Sequence, residues 1–328
     1  MSIGRVTTSQ MWTSSTANMQ AAKARVSQLS DQSSSGLAVS KPSDDPIAAA
    51  GILRVLGQQN ANTQYATNIG DGIGWLSTTD SAMTASENLI RQAKDLAIQA
   101  GNSGTATAAS RDAIAKQLEG IRDDLLSQAN TRFNGRSIFA GTSDASAAFA
   151  TGSYDYAGAT VPAGSPAGTA PVNALGPVTR RIGPSATDVV TVSADGMAAF
   201  GTGTSSVFAQ IDTVIAALRD PGYDSDTVDA TTGKTPKETV TAGIDRLGSA
   251  LTTLSAQHGV VGANYARMTS AKTQNATTAT ALETQRSGLQ DADTTKTLLD
   301  LKTQELAYQT ALQVTATVLQ PTLMSFLR

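Results

Sequence analysis

The chain has no cysteine in its 328 residues, which excludes disulfide bonds and every reaction that needs a thiolate. Aromatic residues make up only 4% and charged residues only 16% of the sequence. Because bulky side chains are scarce, this composition favours long helices with small contact residues over a globular core of large residues.

Basic charge is also limited, since 24 Lys and Arg stand against 27 Asp and Glu, for a net charge of -3. The basic residues are scattered and form no stripe that could follow nucleic acid or a lipid surface. No apolar run is long enough to span a membrane, and the N-terminus lacks the basic segment and apolar core of a cleavable signal. We therefore expect neither nucleic acid nor membrane as a partner, and no cleavable signal.

Residues that carry catalysis are almost missing. His258 is the single histidine and lies at a heptad position, which favours a packed or hydrogen-bonded role over that of a base or ligand. Asp44 and Asp45 directly precede Pro46, where a helix cap is expected. The glycines of 70–74 and 233–235 lack the spacing of a nucleotide-binding loop. We predict no catalytic residues, no cofactor, no metal site and no small-molecule substrate.

The C-terminal stretch 291–328 has apolar residues in steps of three and four, as one face of a helix requires. A similar seam runs through the first forty residues, and the opposite face of the C-terminal helix is expected to be polar. We predict that the two ends pack together and, in an assembly, against other copies of the chain. The predicted assembly interface consists of Trp12, Met19, Val26, Leu29, Leu298, Leu301, Tyr308, Leu312, Leu319 and Phe326. Pro321 is expected to break or kink the last helix.

Helix boundaries follow from turn and cap residues. Gly36 is expected to end the first helix, and Pro46 to begin a second that continues to about residue 100. Three glycines at 70, 72 and 74 predict a kink or break in that helix, because each costs about 1 kcal/mol relative to alanine. Another helix is expected from about 108 to 129, forming a hairpin with its predecessor.

The middle of the chain has a different texture. Asn134-Gly135 between apolar residues predicts a tight β-turn. The Gly-, Pro- and Ser-rich segment 142–203 predicts a small β insert, with strand-like pieces at 154–156, 178–182 and 189–192. The helical pattern returns at Phe208, and Pro236 begins a long helix with two interleaved heptad series.

The predicted fold is mainly α: a long antiparallel helical rod, a coiled-coil-like hairpin with a small β-rich insert at its far end. The predicted parts are an N-terminal assembly helix at 1–40, the first half of the rod at 41–141, the variable insert at 142–203, the second half of the rod at 204–290 and a C-terminal assembly helix at 291–328.

Three segments of the sequence resemble the flagellin superfamily. The first holds Pro42, Asp44, Asp45 and Pro46, where the family closes its N-terminal helix and opens the next one. The second runs from Asn134, Gly135 and Arg136 to Gly141 and is similar to the members that join hook to filament. The third lies in the C-terminal stretch and includes Tyr308 to Val314 and Leu319-Gln320-Pro321. The resemblance covers roughly 1–145 and 236–328 but leaves the insert unmatched.

This resemblance implies a flagellin-like structural subunit of the bacterial flagellum, located outside the cell at the hook-filament junction. It also implies export through the flagellar type III apparatus without a cleavable signal, and self-assembly into a ring or tube through the terminal helices. The implied partners are the preceding hook-associated protein, flagellin, and an export chaperone at the C-terminal stretch. A filament flagellin is the alternative that the sequence leaves open.

Overall fold

The computed structural model describes residues 8–102, 107–163, 165, 169, 171–225, 227–229 and 233–324, and only the backbone at 8, 9, 11 and 317–324. Helices dominate this part of the chain. In chain order the elements are α1 (Thr8–Ser35), α2 (Pro46–Gly101), α3 (Ala108–Ala129), β1 (Arg132–Phe133), β2 (Arg136–Ser137), β3 (Ala159–Thr160), β4 (Val172–Asn173), β5 (Thr179–Arg181), β6 (Val189–Thr191), α4 (Gly196–Phe200), a 3-10 turn (Gly203–Ser205), α5 (Val207–Arg219), α6 (Pro236–Gln290) and α7 (Thr294–Met324). The mainly α fold with small antiparallel strand pairs is confirmed.

Side-chain caps begin the two longest helices where the sequence predicts them. The Asp45 carboxylate accepts hydrogen bonds from the backbone N–H groups of Ile47 and Ala48, both at 2.9 Å. At the start of α6, Glu238 accepts the backbone N–H of Thr235 at 2.8 Å and Thr235 accepts that of Glu238 at 3.3 Å. This reciprocal pair satisfies N–H groups that the first turn of a helix leaves without partners.

The chain divides into two compact units. The first, here called the terminal unit, comprises Met1–Asn62 and Thr277–Arg328, and the second, the central unit, comprises Thr63–Ala276. In the terminal unit α1 packs along α7, and the hydroxyl oxygens of Ser15 and Thr315 lie 3.0 Å apart. The expected packing of the two chain ends against each other is confirmed.

In the same unit, the connection that follows α1 pairs with the end of α6 and the short connection between α6 and α7. The N–H of Ala292 donates to the carbonyl of Gly36 at 2.8 Å, and the N–H of Ala38 donates to the carbonyl of Gln290 at 2.8 Å. A small separate core forms there from Val39, Ala49 and Ile52, against which Leu289 packs. These contacts hold the beginning of α2 beside the end of α6 within the terminal unit.

The central unit contains the main core, to which α2, α3, α5 and α6 all contribute buried apolar residues. The predicted heptad residues of α2, namely Ile69, Leu76, Met83, Ile90 and Ala97, are all buried. Of the two heptad series predicted in α6, one is buried and consists of Leu247, Leu254, Val261 and Met268. The other series lies at the border of the core, where Ile244 and Leu251 are half-buried and Tyr265 is 40% exposed.

The break predicted at the glycines of α2 is wrong, because the helix is continuous from Pro46 to Gly101. A Cβ atom on Gly72 would overlap the Met268 side chain, and one on Gly74 would lie 2.8 Å from the ring of Phe133. Gly72 and Gly74 therefore permit close approach of neighbouring elements. That packing offsets their cost of about 1 kcal/mol each in helix propensity.

Proline likewise fails to end α7, which continues through Pro321 to Met324. The break predicted at that residue is therefore wrong. Proline removes a single N–H donor from the ladder, and a helix can continue past it when its other hydrogen bonds are kept.

The predicted tight turn after α3 is confirmed. Strands β1 and β2 pair antiparallel, and Asn134 and Gly135 connect them with φ angles of 48° and 81°. Both values lie in the left-handed region that a type I′ hairpin turn requires, which explains the choice of Asn and Gly.

The insert holds two further antiparallel pairs, β3 with β4 and β5 with β6, together with the short helix α4, which the sequence did not predict. Of the strand predicted at 154–156, the structure keeps a single antiparallel bridge between Tyr156 and Phe149, because a φ of 56° takes Tyr154 out of the extended conformation. Its hydroxyl donates to Asp212 at 2.6 Å. Burial and this hydrogen bond raise the pKa of Tyr154 to about 12. Tertiary contacts thus outweigh the β propensity of tyrosine at this position.

Candidate assembly surface

Helix α7 carries apolar residues on two opposite sides. Leu301 is 9% exposed and lies on the face that also carries Thr315, the residue beside Ser15 of α1. Leu299 and Leu306 are 67% and 65% exposed. Because each helical residue turns about 100°, Leu299 lies roughly 200° from Leu301, on the far side of the helix. This opposite face, which was expected to be polar, is mostly polar but carries these two exposed leucines.

The prediction did not include these leucines because residues in steps of three and four form a longer apolar row on the other side of the helix. Leu299 and Leu306 form a shorter row, one heptad apart, and the polar residues Thr303 and Thr310 stand between and after them on that side. The seven-residue spacing of two leucines was the signal that could have found this row. We call Leu299 and Leu306 the outer row of α7.

The predicted assembly residues divide between buried and exposed positions. Leu29 and Leu301 are buried, and Met19, Val26 and Tyr308 are half-buried. Trp12, Leu298 and Leu312 are exposed, at 57%, 52% and 40%. The side chain of Leu319 and all of Phe326 lie outside the described residues. The predicted set thus mixes residues of the terminal unit's own interior with residues on its surface.

Further apolar side chains of the terminal unit are exposed on the first turns of α2, and the predicted set missed them. Ile47 is 87% exposed and Leu53 is 68% exposed. A helix in a soluble monomer normally buries such a stripe, so exposed leucines and isoleucines on several helices of one unit are typical of a protein-protein contact surface. The exposed apolar side chains of the terminal unit include Trp12, Ile47, Leu53, Leu298, Leu299, Leu306, Leu312 and Val314.

The motif between α1 and α2 positions the beginning of this surface. Gly36 ends α1 with a φ of 72°, and the Asp44 carboxylate accepts the N–H groups of Lys41 at 2.9 Å and Ser40 at 3.1 Å. These backbone hydrogen bonds, with that of Lys41 the larger contribution, lower the pKa of Asp44 below its ordinary value. Asp45 then caps α2, so Ile47 is presented on the first ordered turn. Both carboxylates act in turn and cap formation, as the sequence predicts.

Replacing Asp45 by alanine is expected to fray the first turn of α2, because the N–H groups of Ile47 and Ala48 lose their acceptor. Loss of such a cap costs about 1 kcal/mol. Amide hydrogen exchange at residues 47–50 measures the effect, which should be a several-fold loss of protection. Asp45→Asn is the matched control, since asparagine caps nearly as well. Equal protection in all three proteins would contradict the capping role.

The remaining candidates for chemistry have structural partners. Both ring nitrogens of His258 face carboxylates, at 2.8 Å from Asp80 and 3.0 Å from Glu87, which confirms a hydrogen-bonded position within the helical seam. Across the described ranges, no three His, Cys, Asp or Glu side chains group as metal ligands. None of the described helices combines the length and apolarity of a membrane span.

Long helices thus pair at the two chain ends, and both of them carry exposed apolar side chains. The family model for the bacterial flagellin N-terminal helical region matches residues 6–144, and that for the bacterial flagellin C-terminal helical region matches residues 244–327. The chain belongs to the flagellin family of structural flagellar proteins, and it is not an enzyme.

Within that family the chain is similar to flagellar hook-associated protein 3. It is 31% identical to that protein of Salmonella typhimurium over 218 residues, which cover 66% of this chain and 67% of the relative. The Escherichia coli protein of the same name is 29% identical over 248 residues, covering 75% and 74%. The flagellin of Bacillus subtilis is 30% identical over 111 residues, which cover 33% of this chain and 36% of that flagellin.

Solved structures agree at the level of the fold. A putative flagellar hook-associated protein from Vibrio parahaemolyticus superposes with a TM-score of 0.58 at 17% identity. The match covers 76% of this chain and 100% of the Vibrio chain. The flagellar junction protein FlgL from Legionella pneumophila gives a TM-score of 0.51 at 13% identity, covering 74% and 100%.

Proposed function

We propose that this protein is the structural subunit that joins the hook of the bacterial flagellum to the filament. The observation that carries the proposal is the extent of similarity. The match to two hook-associated proteins 3 covers 66% and 75% of the chain, whereas the match to the Bacillus subtilis flagellin covers 33%. A filament flagellin, the alternative, would be expected to match flagellins over at least as much of its length.

Polymerisation through the terminal helices is the second part of the proposal. In this view residues 1–40 and 291–328 form the assembly domain, and the segment 142–203 is a variable insert outside it. The exposed outer row of α7, together with Trp12 and Ile47, supports an intersubunit contact, because burying such side chains contributes about 1.5–3 kcal/mol each. In a ring or tube every copy makes these contacts, so their free energies add up over the whole assembly.

The neighbouring proteins and the export route that we propose follow from this role. We propose that one neighbour is the preceding hook-associated protein and the other is flagellin, that the protein lies outside the cell, and that the flagellar type III apparatus exports it without a cleavable signal. An export chaperone is proposed to cover the C-terminal stretch before assembly. The exposed leucines of α7 support this, because an uncovered apolar helix face promotes aggregation.

Deleting the gene tests the junction role directly. We expect complete hooks without filaments, flagellin released into the medium and loss of motility, all restored by the intact gene. Electron microscopy of cells and immunoblots of the culture medium measure these outcomes. A deletion strain that keeps sparse but attached filaments would contradict the junction role and would favour a filament flagellin.

A further inference from the structure

His258 of α6 stands between two carboxylates of α2 in the central unit. Its Nε2 atom lies 2.8 Å from Asp80 Oδ1, and its Nδ1 atom lies 3.0 Å from Glu87 Oε1. The His258 and Glu87 side chains are 24% and 11% exposed, whereas Asp80 is 55% exposed. Asp80 and Glu87 are seven residues apart, so both project from one face of α2.

The charge of this group depends on a single proton. Ionised carboxylates only accept hydrogen bonds, so both short contacts form only when both ring nitrogens carry protons. Arg91 also pairs with Glu87, at 2.8 Å. With His258 protonated, the two cations balance the two anions; with His258 neutral, the group keeps one negative charge in excess and one carboxylate faces a ring lone pair.

The neutral ring has a preferred arrangement here. It keeps one N–H, and the better-buried carboxylate is destabilised more when its donor is removed. Glu87 therefore retains the Nδ1 proton, and the hydrogen bond from Nε2 to Asp80 is the one that breaks. Neutral His258 is held as the Nδ1–H tautomer by Glu87.

Both helices are intrinsically weak at this point. Gly259 and Gly262 follow His258 in α6, and a Cβ atom on either would meet no other atom within 4 Å. Unlike Gly72 and Gly74 of α2, these two are not required by packing, yet each costs about 1 kcal/mol in helix stability. On α2 the hydroxyl groups of Thr79 and Ser86 bond the backbone carbonyls four residues earlier, at 3.0 Å and 2.7 Å, a pattern that slightly destabilises and bends helices.

We propose that His258, Asp80 and Glu87 form a proton-linked clamp that fastens α6 to α2. Protonation closes the clamp and deprotonation opens its Asp80 side. The opened state favours local unfolding of α6 around Gly259 and Gly262, so the rigidity of the central unit depends on pH.

The direction of the pH dependence follows from the surroundings of the ring. Partial burial lowers the pKa of His258, but the hydrogen bonds to Asp80 and Glu87 and their negative charge outweigh burial and raise it above 6.5. A group with a raised pKa in the folded state stabilises fully below its unfolded pKa. The clamp's contribution is therefore present at pH 6 and is lost as the pH rises through the folded pKa.

Two variants of the full-length protein test the clamp. His258→Gln mimics a neutral ring at every pH, and Asp80→Asn removes the exposed carboxylate without emptying the core. We expect the melting temperature of the wild type to exceed that of His258→Gln by about 2–4 °C at pH 6, and the difference to vanish at high pH. Asp80→Asn should lower the imidazole pKa measured by NMR, and the 15N shifts of the neutral ring should report the Nδ1–H tautomer.

Parallel melting curves of the wild type and His258→Gln from pH 6 to 9 would overturn the proposal. An imidazole pKa at or below 6.5 in the wild type would also overturn it. This second measurement needs no variant, so the clamp stays testable if His258→Gln does not fold. Because the chain has one histidine, the imidazole signal needs no assignment.

Discussion

Replacing Leu306 by aspartate is expected to abolish filament attachment and leave the melting of the central unit unchanged. Leu306 belongs to the outer row of α7 and is 65% exposed, so the isolated chain loses little by its removal. In the assembly the same position would place an unpaired carboxylate in an apolar contact. Lost burial of about 1.5–3 kcal/mol per copy, with the added desolvation of the charge, predicts an association constant at least ~10-fold to 100-fold lower.

Swarming, counts of attached filaments and calorimetry of the purified protein measure these effects separately. Leu306→Met keeps the apolar contact and should assemble normally. Val260→Asp is the matched control, since Val260 is also exposed, at 55%, but lies in the central unit. Normal assembly of Leu306→Asp would refute the role of the outer row. A clear drop in the melting temperature of the central unit in Leu306→Asp would also refute it.

Replacing Phe149 by alanine is expected to produce the largest loss of stability, because this ring joins the insert to the helices of the central unit. Phe149 is 1% exposed, and its ring centroid lies 5.3 Å from that of Phe208 and 5.7 Å from that of Phe200. Its backbone N–H donates to the Asn130 side chain at 2.9 Å, and its carbonyl accepts from the same side chain at 3.1 Å. The ring is therefore held in position at the end of α3.

Truncation of a buried phenylalanine lowers the free energy of unfolding by about 3–5 kcal/mol. For a unit of this size, the melting temperature should fall by roughly 6–20 °C. Denaturant unfolding followed by circular dichroism measures the free energy. Val172→Ala in the same insert is the control, because Val172 is 49% exposed and its truncation should change stability by less than about 0.5 kcal/mol. A loss below about 1 kcal/mol for Phe149→Ala would show that the insert does not depend on this ring.

Sequence periodicity predicted the core of the central unit well on α2 and only partly on α6. Every member of the α2 heptad row is buried, from Ile69 to Ala97. On α6 two rows had equal claims, and the structure buries the one that contains Leu247 and Val261. Periodicity reports which residues share a face, because helix geometry fixes that. Which of two faces meets a neighbour depends on residues far away in the chain.

Glycine shows the same division. The sequence could assign Gly135 to a turn, because the Asn-Gly pair is itself a local signal and its φ of 81° needs no distant partner. For Gly72 the local signal predicted a helix break, because its packing partner Met268 lies almost two hundred residues later in the sequence. The strand prediction at Tyr154 failed for a related reason, since Asp212 and the ring of Phe208 hold this residue at a positive φ, against its own β propensity.

The local elements of this protein are set by its sequence: the caps at Asp45 and Thr235, the turn at Asn134 and Gly135, the periodicity of the long helices, and the motifs that resemble flagellins. Cap bonds, turn dihedrals and helical periods form between residues within a few positions of each other. Folding in three dimensions decides that Leu301 faces the interior of the terminal unit while Leu299 and Leu306 remain exposed, and that His258 meets two carboxylates. Burial and charge pairing depend on neighbours brought together by folding, and one helical pattern is compatible with several sets of neighbours.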